Sequence, residues 1–383
     1  MYLIVGIAGM ARPALAQHAD SVATDTLAPG VIHRHLVDSA GPWNINVLTI
    51  DLRGRRVRVV EARADGRLRG RERVSDIARD NASDSATVLA GVNGDFFDLA
   101  TGENENNQVI DGEIWKATSR TPADSARYVR SQLAIMRNGR PEIAESWLIA
   151  NVSLHGNALF ALDGINRRTD VGQLVLYTEH FGRMTPYDSS NTLRELPLRA
   201  LRHRGDTLRY VVASMPVSAG TTLLTERAAL SLPRNDTSRG IPHPGDTITI
   251  APFWVHFTAS PRLLIGGWPR LVMHGRSIAD SVDRLEGTTP AFSVTRHPRT
   301  GAGFSRDSTT LYLITVDGRQ ESSSGMSLAE FADLMVQLGV FEGLNLDGGG
   351  STTMVVNGRV VNHPSDPGGE RTVGDALLVE RRP

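Results

Sequence analysis

The segment from Leu311 to Ser351 constrains the fold more than any other part of this 383-residue chain. Leu311-Tyr-Leu-Ile-Thr-Val316 is an almost unbroken apolar run, as expected of a strand buried on both faces. Asp317-Gly318 ends it. Ser327 and Glu330 then have capping-box spacing at a helix start. Phe331, Leu334, Met335 and Leu338 follow on one helical face, and Gly339 is placed to stop the helix. Gly343-Leu-Asn-Leu346 reads as a second buried strand, ended by Asp347-Gly-Gly-Gly350. Strand, helix, strand implies a crossover between parallel strands. Asp317 and Asp347 are therefore expected at the same carboxyl edge of a sheet, where open α/β sheets bind ligands. If the strands are neighbours, about 5 Å separates them, and the two carboxylates can face one ligand.

The rest of the chain adds strands. Residues Asn44 to Ala62 hold two strand patterns around Arg53-Gly54-Arg55, and Thr87 to Val92 runs into Asn93-Gly94-Asp95-Phe96-Phe97. Asn138-Gly139 and Asn357-Gly358 are hairpin signals. Ser75 to Arg79 can open a short helix. The stretch at about 163–257 reads as a β-rich insertion. The expected class is α/β (mixed α+β): a central mixed sheet, the C-terminal strand-helix-strand unit and the insertion.

At the N-terminus, residues 1–16 read as a secretory signal peptide without its basic region, cleaved after Ala14-Leu15-Ala16. Residues 17–40 form a lead-in, and 41–383 the main domain. This start implies an exported bacterial protein, periplasmic, secreted or on the cell surface. No apolar run reaches 18 residues, so no transmembrane helix is expected. The 41 basic and 42 acidic residues nearly cancel, which favours neither nucleic acid nor an anionic membrane as partner. There is no cysteine, which removes disulfides, thiolate nucleophiles and cysteine metal sites together.

Several residues have chemical promise. Gly348, Gly349 and Gly350 let the backbone approach a ligand, with N–H groups that can hold an anion, and Ser351 adds a hydroxyl. There is no P-loop lysine nearby. Arg299, beside Thr300 in Arg296-His-Pro-Arg-Thr-Gly301, offers paired donors to a phosphate or carboxylate. Glu103 to Asp111 is acidic and amide-rich. It suits hydroxyl recognition or a hard cation but lacks EF-hand spacing.

Together these blocks resemble the phosphodiester glycosidase family. The resemblance runs through Asn93-Gly-Asp-Phe-Phe97, Glu103, Asn107, Arg299-Thr300, Val316-Asp317-Gly318, Gly325-Met-Ser-Leu328, Asn345-Leu-Asp-Gly-Gly-Gly-Ser351 and Asn362-His-Pro-Ser-Asp366, in family order. It implies hydrolysis of a carbohydrate phosphodiester at the bond between anomeric carbon and phosphate. Asp317 and Asp347 are then base, nucleophile or stabiliser of an oxocarbenium-like state. Arg299, Thr300 and the Gly348–Ser351 backbone hold the phosphate, and Asn93, Asn107 and Glu103 contact substrate. No cofactor is required, although a divalent cation fits one rival: a metal-dependent phosphodiesterase using Asp95, Asp98, Glu103 or Asp347. Another rival is a non-catalytic exopolysaccharide-binding or assembly protein. Asp95 departs from the family, where a small residue is common, and the cysteines of its animal members are missing.

Overall fold

The computed structural model describes residues 20–54, 56–119, 130–154, 156–168, 173–235 and 242–382. The signal-peptide expectation lies outside these residues. Among them, no helix is long and apolar enough to cross a membrane.

The chain is mostly β rather than a balanced α/β protein. Among the described residues only Leu328–Gln337 exceeds two helical turns. Three large sheets carry the architecture. An eight-stranded sheet runs Asp20–Ala28, Val31–Asp38, Trp43–Asp51, Thr310–Val316, Arg299–Phe304, Glu342–Asn345, Arg270–Met273, Arg276–Ser277. A five-stranded sheet has Asp375–Arg381 between Thr87–Asn93 and Val57–Arg63, with Met354–Val356 and Arg359–Val360 beyond.

Side-chain alternation stacks these two sheets. Leu48, Ile50, Leu311 and Leu313 face Val59, Val92, Leu377 and Val379 in one apolar layer. On the other face of the eight-stranded sheet, Ile45, Val47, Ile314 and Val316 receive Phe331, Leu334 and Met335 of the long helix. The short helix Val74–Asp80 covers the outer face of the five-stranded sheet through Val74, Ile77 and Ala78. The resulting order is helix, sheet, sheet, helix.

The strand-helix-strand unit holds in part. The capping box is present, with the Ser327 hydroxyl and Glu330 exchanging bonds with each other's backbone. Thr310–Val316 and Glu342–Asn345 are parallel to each other, since both run antiparallel to Arg299–Phe304. They are not neighbours. Arg299–Phe304, read from sequence as a loop, lies between them. Its centre is Gly301-Ala302-Gly303, because the long helix presses onto it. A Cβ on Gly301 would meet the Met335 methyl at 2.3 Å, and one on Gly303 would meet Val340 at 2.5 Å. The missing side chains that hid the strand are what let the helix pack.

The lead-in joins the fold: residues 20–38 form two antiparallel strands that extend the eight-stranded sheet. Both hairpins are present; Asn357 and Gly358 have φ of 49° and 75°, as a type I′ turn requires.

The third sheet has fourteen strands and includes the β-rich stretch. It also takes in Gln108–Ile110, Glu113–Thr118, Ser131–Met136, Pro141–Glu145 and Pro261–Gly266. The stretch is therefore hydrogen-bonded into a sheet shared with the chain on either side. Side chains from most of its strands meet in a single apolar cluster, so the sheet curls around it.

Candidate active site

The site is built where three strands end together. Val316 opposes Arg299 and Asn345 opposes Gly301. Asp317 and Asp347 thus leave the sheet at one edge, on either side of the Pro298–Arg299 segment, as the crossover predicts. Asn93, from the five-stranded sheet, pins this edge from behind. Its amide nitrogen donates to the Asp347 carbonyl at 2.6 Å. Its oxygen accepts from the Thr300 hydroxyl at 2.8 Å and the Thr353 N–H at 3.1 Å.

Asp347 stays partly accessible. Burial of its carboxyl pushes it up to about 6, against opposing bonds from the Ser351 side chain and the Gly348 N–H. The Gly348 bond is 2.9 Å. Asp317 is buried. Its Oδ1 accepts from the Asn362 amide and the His363 N–H, both at 3.0 Å. Its Oδ2 lies 3.3 Å from His363 Nδ1. Burial raises Asp317 above the ordinary carboxylate range, partly offset by these donors. The His363 ring itself is exposed. If Nδ1 carries the proton toward Asp317, Nε2 is left as an outward-facing acceptor.

The glycine loop plays a different part from the one expected. Gly349 N–H donates to the Pro298 carbonyl at 2.9 Å and Ser351 N–H to Gly348 at 3.1 Å. With Gly348 turned onto Asp347, these three N–H groups are committed within the protein. The glycines instead make room. A Cβ on Gly350 would sit 2.1 Å from Asp366 Oδ1 and 2.2 Å from Arg371 Nη2. Arg371 and Asp366 form an ion pair against the loop at 2.7 Å.

Arg299 is the clearest correction. Its side chain is among the largest fully buried ones described. Its guanidinium donates to the carbonyls of Met326 and Phe292, both at 2.9 Å, and Thr295 at 3.2 Å. It also stacks on the Phe292 ring. Burial, with a contribution from Arg319, lowers it to about 10. Three carbonyls occupy the donors that a phosphate would need. Thr300 and Asn93 are likewise buried and bonded to each other, and Asn107 bridges Ser146 and Thr118. These residues hold the fold around the site.

The carboxylates of the metal-dependent rival do not converge. Asp95 accepts from Asn106 and Asn104. Asp98 is exposed and folds its own loop through Thr101 and Ala100. Glu103 pairs with Lys116 at 2.8 Å and Arg69 at 3.0 Å. Among the described residues no three His, Asp or Glu side chains are grouped as metal ligands.

Residues without a sequence assignment complete the edge. Arg319 is exposed, with φ of 61°, and is 3.3 Å from His297 Nδ1. It has no carboxylate partner among the described residues and reaches over Gly349. Burial, with Arg299 and Arg319 nearby, lowers His297 and favours its neutral form. A sequence signal for Arg319 existed, since it directly follows Asp317-Gly318, but an exposed arginine in an Asp-Gly turn reads as a surface residue.

Behind the edge lies a buried acidic group. The Asp375 carboxylate accepts from the Asp95 N–H at 2.9 Å, while Gln108 donates to both Glu61 and Asp375. Arg63 Nη1 is 3.8 Å from Asp375. Burial, then repulsion from Asp375, pushes Glu61 well up. Glu61 therefore binds a proton in the folded state that the unfolded chain releases above the ordinary range. Stability attributable to it falls as pH rises beyond that range, by up to about 1.4 kcal/mol per unit. Glu61→Gln keeps the acceptor for Gln108 and supplies a permanent donor toward Asp375. Its melting temperature should match wild type near pH 4.5 and exceed it increasingly by pH 8. Parallel melting curves across that range would refute the shared proton.

Residues 218–380 match the phosphodiester glycosidase family model, a span that includes Asp317, Asp347 and the Asn362–Asp366 loop. Over that span the chain matches the phosphodiester glycosidase family. The mouse N-acetylglucosamine-1-phosphodiester alpha-N-acetylglucosaminidase is 39% identical over 110 residues, covering 27% of this chain and 21% of the mouse protein. An uncharacterized prophage-derived protein of Bacillus subtilis, YomE, is 41% identical over 103 residues, 27% of this chain and 16% of that protein. The matches thus span about a fifth of these relatives' lengths at most. A solved structure of a hypothetical protein from Synechocystis has a TM-score of 0.72 at 18% identity, covering 94% of this chain and 63% of that one. It shares the fold with this chain.

Proposed function

We propose that the chain hydrolyses sugar-1-phosphodiesters in glycans or glycoconjugates, as an exported enzyme, at the Asp317–Asp347 edge. The observation that carries this reading is Asp347: a partly accessible carboxyl raised to about 6, at the same sheet edge as a buried Asp317 that is bonded to the exposed His363. Asp347 as carboxylate stabilises the oxocarbenium-like centre or attacks it. His363 Nε2, oriented by Asp317, exchanges the proton of water. The departing phosphate gains charge as the anomeric bond breaks, so a guanidinium beside it favours the transition state over the ground state. Arg319 replaces Arg299 in that role, with Arg371 supporting the loop. No step requires a metal ion, and activity is expected to survive a chelator.

The deciding experiment is a panel of sugar-1-phosphodiesters scored for released free sugar. Turnover by wild type and its loss in Asp347→Asn supports the reading. Glycan binding with no turnover on any member would reject it in favour of a non-catalytic role. Within a positive panel, Arg319→Ala should lower kcat by about 10- to 100-fold with little change in melting temperature. Unchanged kcat would free Arg319 of the phosphate role.

A further inference from the structure

The fourteen-stranded sheet has a second concave feature on its outer face. Strands Val175–Tyr177, Arg227–Pro233 and Leu193–Arg204 pair in that order, with Ser231 opposite both Val175 and Glu195. Alternation sends Leu196, Leu198, Leu230 and Leu232 to the interior cluster. It leaves Tyr177, Glu195 and Ser231 on the other face. There they line a cavity of about 470 Å³, together with Arg69, Arg168 and Tyr187. This is within the usual size range of small-ligand sites.

The cavity holds one buried polar group that the fold leaves unused. Glu195 and Ser231 are each 1% exposed. The Ser231 hydroxyl has no hydrogen-bond partner among the described residues. A buried unpaired hydroxyl is costly. Glu195 uses one oxygen, accepting from the Thr221 N–H at 2.9 Å. At the rim Tyr187 is 86% exposed, an aromatic ring presented to solvent. Two guanidiniums, of Arg69 and Arg168, and two carboxylates, of Glu195 and Asp188, are part of the lining. Arg69 is already paired with Glu103 and lies over Phe181.

With Arg69 committed to Glu103, Arg168 faces the carboxylates of Glu195 and Asp188, which disfavours an anion. A neutral sugar suits the lining better, because each hydroxyl both donates and accepts. Its apolar face can stack on Tyr187. We propose that this cavity is a binding subsite for a neutral pyranose unit of a glycan, separate from the Asp317–Asp347 edge and independent of whether that edge is hydrolytic.

The test is calorimetric titration of the full chain carrying Asp347→Asn, so that turnover cannot interfere. The probes are chitotetraose, maltotetraose and cellotetraose, with glucuronate and inorganic phosphate as anionic controls. At least one neutral probe should bind saturably. Tyr187→Ala, an exposed position, should weaken it by about tenfold or more, and Ser231→Ala by a smaller factor. Tyr187→Ala alone should leave hydrolysis of a small sugar-1-phosphodiester unchanged. The proposal fails if no neutral probe binds by about 10 mM, if Tyr187→Ala binds like wild type, or if the anions compete equally well. None of those failures touches the hydrolytic reading, which rests on released sugar.

Discussion

Asp347→Asn should lower kcat/KM on a sugar-1-phosphodiester by about 10³- to 10⁵-fold while leaving the melting temperature nearly unchanged. The substitution keeps the shape and the oxygen facing the Gly348 N–H, but removes the charge at the one partly accessible carboxyl of the edge. In wild type the carboxyl titrates at about 6 because burial disfavours its charge. If the carboxylate is the working form, kcat/KM should rise tenfold per pH unit below about 6 and level off above it. The residual activity of Asp347→Asn should lack that limb. A variant within tenfold of wild type, or one that retains the limb, would move the chemistry away from Asp347.

Arg299→Ala should cost about 3–5 kcal/mol of stability, enough to threaten folding. The change leaves the Met326, Phe292 and Thr295 carbonyls without their shared donor, empties the space over Phe292, and loosens the segment between the two aspartates. Arg299→Lys should lose less, since an ammonium can still reach one or two carbonyls but lacks the planar fork. Denaturant melts of both variants would check this. If Arg299→Ala folds with normal stability and loses only kcat, the guanidinium contacts substrate after all and the phosphate role returns to it.

These two residues show what the sequence could and could not reveal. Asp347 was legible because strand periodicity, a capping box and a glycine stop all point to one edge, and each is a local signal. Arg299 was misread because its partners are carbonyls from the Phe292–Thr295 turn and Met326, and carbonyls leave no mark in a sequence. The intervening strand was hidden for a related reason. Gly301-Ala302-Gly303 lacks the bulky β-branched residues by which strands are recognised, since the helix above fills that space. The Asp317–His363 pair joins positions 46 residues apart, and only the resemblance in Asn362-His-Pro-Ser-Asp366 marked its second member. Asn93 was expected to contact substrate, but it is buried and its amide serves Asp347 and Thr300.

The place of Asp375–Arg381 between two strands of its sheet determines when the site can come into being. Its neighbours, Val57–Arg63 and Thr87–Asn93, are made early in synthesis, and the Asp375 carboxyl that fixes the Asp95 N–H is 280 residues away in sequence. Until that strand arrives, two apolar strands on the nascent chain lack the partner that separates them, and their facing edges remain open. Such edges invite mispairing with other chains, and closing so large a loop is slow. Folding should therefore be late and vulnerable, with the eight-stranded and fourteen-stranded sheets able to form ahead of it. Because Gly94 both donates to the Asp375 carbonyl and accepts from the Asp347 N–H, the same closing event that seals the sheet also seats the reactive aspartate. Newly made protein would then become competent for chemistry in one step, at the end of folding.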